Sequence, residues 1–287
     1  MSSFKIGKFQ VVETLGTGAA STILKVRRAA DSKHYALKVV VIDEPEDKKY
    51  LVQAEHEFKI ASKLDHPCVL KIHALELHKN WLFQVKKVHL LMEYVNGKTL
   101  DAMPRIAVPQ LVQIFERVAS GLAHLHRRGV YHADIKPSNI MLSRSGDVKI
   151  LDFGLARLKG EVTERIQGTP EYIAPEQARK GLVNERTDIY NFGATMYRLT
   201  TWRLPPSAMP TGEEEQKIDA KAWRRLVKPV QEFAPEAPKV LCDLIHRCLS
   251  FDAHQRPERA ADIQEQLGQL VRQVVRSAED RLDMFEF

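Results

Sequence analysis

The segment from His132 to Gly154 constrains this chain more than any other. It reads His-Ala-Asp-Ile-Lys-Pro-Ser-Asn, then a hydrophobic stretch, then Asp-Phe-Gly. Asp134, Lys136, Asn139 and Asp152 thereby bring one candidate base, one cation and two hard oxygen donors into a short span, a set suited to a divalent cation and a phosphate. Turns also favour Asp, Pro, Ser, Asn and Gly, so a polar turn between strands is the competing reading. Order decides between them. Matching His, Asp, Lys, Pro and Asn by chance has odds of roughly 10⁻⁷ per window, or about 10⁻⁴ over the chain, before Asp-Phe-Gly is added.

Composition narrows the class. A chain of 287 residues suits one large or two modest domains, and 44% hydrophobic with 28% charged residues is ordinary for a folded globular protein. The net charge of +6 comes without a block of Lys and Arg or a basic stripe interleaved with aromatics, so a solvated basic surface is expected and no nucleic-acid partner. Cys68, Cys242 and Cys248 are odd in number and lack Cys-x-x-Cys spacing, which speaks against a disulfide framework or a zinc-cysteine site and for a reducing compartment. No apolar signal core follows Met1, Ser2 stands where myristoylation needs glycine, and no window approaches a membrane span. A cytoplasmic location is expected, with an anchor or tail outside these residues left open.

Upstream of the key segment the chain reads mostly as strand. Phe9–Leu15 and Thr22–Val26 flank Gly16-Thr-Gly-Ala-Ala-Ser21, a hairpin whose Gly16 and Gly18 let the backbone approach phosphate oxygens. Alone, Gly-x-Gly is better read as an ordinary turn. In the strand from His34 to Ile42, alternation puts Ala36 and Lys38 on one face. Leu51, Ala54, Phe58, Ala61 and Leu64 recur at helical spacing, with Glu57 at the edge of that stripe and able to turn inward to Lys38; Glu55 competes with it. Val69–Leu77 and Val88–Val95 read as two more strands around a loop carrying Trp81 and Phe83. The period then becomes helical. Leu111, Ile114, Phe115, Val118, Ala119, Leu122 and Leu125 mark an amphipathic helix ending near Gly129, and a late one continues through Ile263, Leu267, Leu270, Val271, Val274 and Val275. A β-rich first part and a helical second part predict an α+β protein of two lobes meeting near Asn96-Gly97.

The segment 132–154, with the order of features around it, resembles the catalytic loop and magnesium motif of eukaryotic-type (Hanks-type) serine/threonine protein kinases. The resemblance covers most of the chain. It implies a bilobal protein-kinase-like fold, with a small β-rich N-lobe carrying one main helix and a larger helical C-lobe. Residues 1–95 then form the nucleotide-binding lobe, 96–260 the catalytic and substrate-binding lobe, and 261–287 a helical extension. The extension packs back on the large lobe or serves a dimer or partner contact.

The same resemblance implies ATP and Mg2+, a protein substrate, and a role for each motif residue. Asp134 orients or accepts the hydroxyl proton, Lys136 adds positive charge, and Asn139 and Asp152 hold magnesium. Lys38 reaches the α and β phosphates, and spacing to His66-Pro67 selects Glu57 over Glu55 as its partner. Gly16, Gly18 and Ser21 form the phosphate loop, with Ser21 where a third glycine is usual. Met92 is the gatekeeper, Glu93 and Val95 offer backbone groups to adenine, and Ile23, Ala36 and Met141 also contact the nucleotide. Lys136-Pro137 with Thr169 is similar to the serine/threonine branch, with Thr169 expected on Asp134 and Lys136; the runs 174–179 and 187–190 look like bacterial members. Gly168–Glu176 resembles a protein-substrate docking segment, which disfavours a small-molecule phosphotransferase, and Arg256 is expected to pair with Glu176.

Departures matter as much. Ala133 stands where an arginine that clamps a loop phosphate is usual, and Arg165 where a phosphorylatable threonine is common. Thr163 is the remaining modification candidate. Glu161 and Glu164 are expected to pair with Arg157 and Arg165, ordering the loop without a phosphate. The runner-up reading is an ATP-binding pseudokinase or scaffold. The presence of Lys38, Glu57, Asp134, Asn139 and Asp152 argues against it.

Overall fold

In the computed structural model, which describes residues 5–18, 20–161, 166–180, 183–209 and 219–283, the early β-rich runs close into one antiparallel sheet. Its strands are β1 (Lys5–Ile6), β2 (Phe9–Thr17), β3 (Ser21–Arg28), β4 (His34–Val41), β5 (Ile72–Lys79) and β6 (Val85–Glu93), in the spatial order β1-β2-β3-β4-β6-β5. One helix, α1 (Lys48–Ala61), joins β4 to β5 and buries Ala54, Glu57, Ile60 and Ala61. Alternation sorts the strands: Val88, Leu90 and Met92 of β6 face α1 and the main core, whereas Leu91 turns to a separate small cluster of Phe9, Val26 and Leu37 on the outer face.

β5 starts three residues later than Val69. The reason is a competing partner: Leu70 donates its N–H to the carbonyl of Ile150 at 2.9 Å, and Ile150 donates to Cys68 at 2.8 Å. Residues 68–70 are thus spliced onto the helical part of the molecule, so the two lobes share more than the crossing near residue 96. Gly121 permits the close approach, since a Cβ there would meet Ile150 Cδ1 at 2.7 Å and Cys68 Cβ at 3.4 Å.

The second part is built around α2 (Val108–Arg127), whose apolar stripe is almost wholly buried. Small sheets carry the loops above it: β7 (Gly97–Thr99), β9 (Ile140–Ser143) and β10 (Val148–Ile150) form one, and β8 (Val130–Tyr131) pairs with β11 (Arg157–Leu158) in another. Helices α3 (Pro175–Lys180), α4 (Glu185–Thr201), α5 (Ala220–Leu226), α6 (Lys239–Cys248) and α7 (Ala260–Asp283) complete the lobe. Asn184 caps α4: its side chain accepts from the N–H groups of Arg186 and Thr187 at 2.8 and 3.3 Å, and the Thr187 hydroxyl accepts from Asn184 N–H at 3.2 Å. Helix α7 lies along α2 and buries Ile263, Leu267 and Leu270, with Gln264 donating to Glu116 at 3.1 Å. The side chains of Val274 and Val275 lie outside the described residues. Among the described residues no helix is long and apolar enough to cross a membrane.

Candidate active site

Strand alternation aims Ala36 and Lys38 into the cleft under the sheet, and helical phase turns Glu57 toward them. Lys38 Nζ meets Glu57 Oε2 at 2.7 Å, with Glu57 buried. Burial alone would lower the ammonium pKa of Lys38, but the charge and hydrogen bond of Glu57, with the charge of Asp152, raise it above its ordinary value. Burial also lifts the carboxyl pKa of Glu57, which Lys38 only partly offsets.

Below this pair, Asp134 is held at both oxygens. Thr169 donates its N–H and hydroxyl to Oδ1 at 3.0 and 2.9 Å, and Lys136 Nζ reaches Oδ2 at 2.7 Å and Thr169 Oγ1 at 2.5 Å. The expected contacts of Thr169 with both residues are therefore present. Asn139 Nδ2 donates to the Asp134 carbonyl at 2.9 Å and to Oδ2 at 3.2 Å. That arrangement uses the amide nitrogen and leaves Asn139 Oδ1 as an acceptor. Asp152 has φ of 60° and accepts from Gly154 N–H through Oδ1 at 3.0 Å, leaving Oδ2. These two oxygens are a hard donor pair of the kind magnesium takes alongside phosphate and water.

The loop is fixed from behind by Asp188 and His126, whose contacts with it the sequence did not show. Ala133 has φ of 67°, a conformation costing an L-residue roughly 1–2 kcal/mol. Asp188 at the start of α4 holds it there, accepting the N–H of His132 at 2.8 Å and of Ala133 at 2.7 Å. His126 from the last turn of α2 bonds the same carboxylate at 2.8 Å and Glu185 at 3.0 Å. Burial alone would lower the His126 pKa, but those two carboxylates raise it to about 9, so the ring is an imidazolium donating from both nitrogens. His132 accepts the Asp134 N–H at Nδ1, at 3.3 Å, and reaches the Leu151 carbonyl from Nε2 at 2.9 Å. It thereby ties the Asp134 loop to the strand leading to Asp152.

The remaining sequence candidates lie on or next to the strands β2, β3, β4, β6 and β9. Gly16 pairs with Ile23, and Ile23 with Lys38, across β2, β3 and β4; Ser21 opens β3 opposite Val40. Gly18 donates to the Ser21 carbonyl at 2.7 Å, closing the hairpin tip, and a Cβ on Gly16 would meet nothing within 4 Å. The space beside Gly16 is thus kept clear by the backbone. Ala36 lies opposite Met92, and both are buried. The end of β6 is pinned by Glu93, which pairs with Lys149 at 2.8 Å and donates its N–H to Lys71 at 2.8 Å; half-buried Val95 follows. Met141, on β9, is partly buried opposite Thr99.

The segment after Asp152 differs from expectation at Arg157. Its guanidinium donates to Gln167 Oε1, and Glu161 caps the N–H of Leu158 at 2.9 Å instead of pairing with Arg157. Gln167 is nearer in the folded segment because β11 pairs with β8 and holds Arg157 beside it. Buried Gln177 completes the set, donating to the carbonyls of Gln167 at 2.8 Å and Ala133 at 3.3 Å. Thr163, Glu164 and Arg165 lie outside the described residues. Glu176 and Arg256 form the expected pair, bidentate at 2.7 and 2.8 Å, with Arg256 also donating to Ser250 and Arg186 carbonyls. Beside Lys136 and Thr169 opens a cavity of about 500 Å³, lined also by Tyr172, Arg198 and Trp202.

A β-rich lobe over a helical one, with a lysine–glutamate pair above and an anchored aspartate loop below, defines a protein-kinase-type phosphotransferase. The family model described as the protein kinase domain matches residues 9–267, and the chain belongs to that family. It is 28% identical over 266 residues to the serine/threonine-protein kinase PrkC of Bacillus subtilis, covering 90% of this chain and 40% of that protein. It is 30% identical to the serine/threonine-protein kinase pkn2 of Myxococcus xanthus (91% of this chain, 32% of that protein) and 27% identical to PknB of Mycobacterium leprae (84% and 46%). The chain spans less than half the length of each of these relatives.

Proposed function

We propose that this chain transfers the γ-phosphoryl group of ATP to serine or threonine hydroxyls of a protein. One observation carries the reading: the Asp134 carboxylate is held by Thr169, Lys136 and Asn139, in the cleft that also receives Lys38 and Asp152. Phosphoryl transfer asks little covalent work of a protein; it asks for alignment and for charge where negative charge gathers. Asp134 is assigned to orient the attacking hydroxyl and take up its proton, Lys136 to the phosphoryl oxygens near it, and Lys38 to the α and β phosphates. Glu57 steadies Lys38. The backbone at Gly16, Gly18 and Ser21 covers the phosphates, while Ile23, Ala36, Met92, Glu93, Val95 and Met141 hold the base. Asn139 and Asp152 are assigned to magnesium, which supplies charge neutralisation across the phosphates when bound.

The cavity beside Lys136 and Thr169 suits an extended protein segment, with Asp101, Glu171, Arg198 and Arg203 among its lining residues. A cytoplasmic site of action fits three buried, free cysteines. Ile263, Leu267 and Leu270 of α7 are buried in the core shared with α2, and a dimer or partner contact is assigned to the C-terminal helix. The test is incubation of the purified chain with labelled ATP, Mg2+ and generic protein substrates, followed by mapping of modified residues. Phosphoserine or phosphothreonine in substrate is expected. ATP binding without transfer would favour the pseudokinase reading instead.

A further inference from the structure

On the outer face of the sheet, away from the cleft, β5 and β6 bring together three side chains that the phosphotransfer chemistry does not use. Glu76 and His78 are two apart on β5 and so share a face, and Glu76 lies directly opposite His89 of β6. The ligand atoms of all three lie within 4.8 Å of one another, and the two imidazole rings are 4.0 Å apart between centroids. His89 is buried, yet among the described residues neither of its ring nitrogens has a hydrogen-bond partner. Its nitrogens are not among the fully buried unpartnered atoms, so they remain open to solvent on this face and free to take a ligand. A cavity of about 240 Å³ opens over the three residues, closed on its far side by Gly7, Lys8 and Phe9.

We propose that Glu76, His78 and His89 form a binding site for a borderline divalent transition metal, Zn2+ foremost. Two imidazole nitrogens and one carboxylate oxygen are a donor set typical of zinc, and hard cations such as magnesium prefer oxygen alone. Ligands ~2.0–2.1 Å from a tetrahedral ion sit about 3.4 Å from each other. The site must therefore contract by up to about 1.4 Å from its present spread. Glu76 and His78 can supply that movement because both are exposed, while buried His89 stays fixed. The occupied site clamps β5 to β6, and the ion lies on the face of the sheet opposite Lys38.

The test is titration of the chain with Zn2+ against a chromophoric chelator, with millimolar Mg2+ present to saturate the oxygen donors of the cleft. One equivalent is expected to bind at low micromolar metal and to raise the melting temperature. His78→Ala and Glu76→Gln, both at exposed positions that do not threaten folding, should each weaken binding at least about tenfold, and His89→Ala should do the same. His66→Ala, which breaks the other close histidine pair, with His124, should leave Zn2+ binding intact. The proposal fails if wild type binds no Zn2+ under these conditions, if the three variants bind like wild type, or if His66→Ala alone removes binding.

Discussion

Single residues carry more of this site than their spacing suggests. Lys38 is the clearest case: its ammonium is held by Glu57 at 2.7 Å, and the burial that raises the Glu57 pKa also gives that carboxyl an escape when its partner is lost. Lys38→Met should therefore abolish phosphoryl transfer while the protein still melts cooperatively, since Glu57 can bind a proton and remain buried. Near-normal phosphorylation by this variant would remove Lys38 from the site. Ala133 gives a second test. With φ of 67° it occupies a conformation that glycine takes freely and a β-branched residue resists. Ala133→Gly should change unfolding free energy by less than about 1 kcal/mol, relief of strain offsetting the more flexible unfolded chain. Ala133→Val should cost about 1–3 kcal/mol. Equal losses in denaturant titrations of the two would show that packing, not backbone conformation, governs the position.

At the scale of elements, the end of α2 and the start of α4 meet through one charged cluster, and its pH dependence has a defined sign. His126 keeps its proton to about pH 9 in the fold but loses it near 6.5 when unfolded. Its contribution is therefore complete below about pH 6.5 and disappears as pH rises through 9, at most about 3 kcal/mol. Denaturant titrations at pH 6.5 and 9.5 should show that loss in wild type and a much smaller one in His126→Gln; equal losses in both would contradict the assignment. The sequence marked Asp188 only as part of the run 187–190, and nothing in it joined His126 to that residue. Periodicity located α2 from Leu111 to Leu125 and α1 from Leu51 to Leu64, because an amphipathic face repeats along the chain. The meeting of His126 with Asp188 does not repeat; it depends on how two helices cross. Asp188 reads in sequence as a polar residue near a helix start, and the true start, the Asn184–Thr187 capping box, lies four residues upstream. Helical phase made Glu57 a candidate partner for Lys38 but only resemblance selected it over Glu55, and the Glu176–Arg256 pair was legible only through resemblance, since it joins residues from distant parts of the chain. Residues 68–70 look like strand and prefer Ile150 of the other lobe, a contact no local pattern encodes.

Across the whole molecule, the question is whether the two lobes and the segment between Asp152 and Glu176 stand ready without modification. A loop phosphate of roughly −2 charge would ordinarily be met by arginines, and Ala133 removes the central one. In its place a mostly neutral network links Arg157, Gln167, Gln177 and the Ala133 carbonyl. Phosphatase-treated wild type and Thr163→Ala should therefore stay within about tenfold of the untreated rate, less than about 1.4 kcal/mol in barrier, whereas a larger drop would mean a phosphate completes the site. The central claim, that Asp134 serves transfer and not nucleotide binding, is tested most directly by measuring ATP–Mg2+ affinity and turnover side by side in wild type and Asp134→Asn. Affinity is expected to hold within a few-fold while turnover falls by about 10²–10⁴; an equal loss of both, or unchanged turnover, would contradict it.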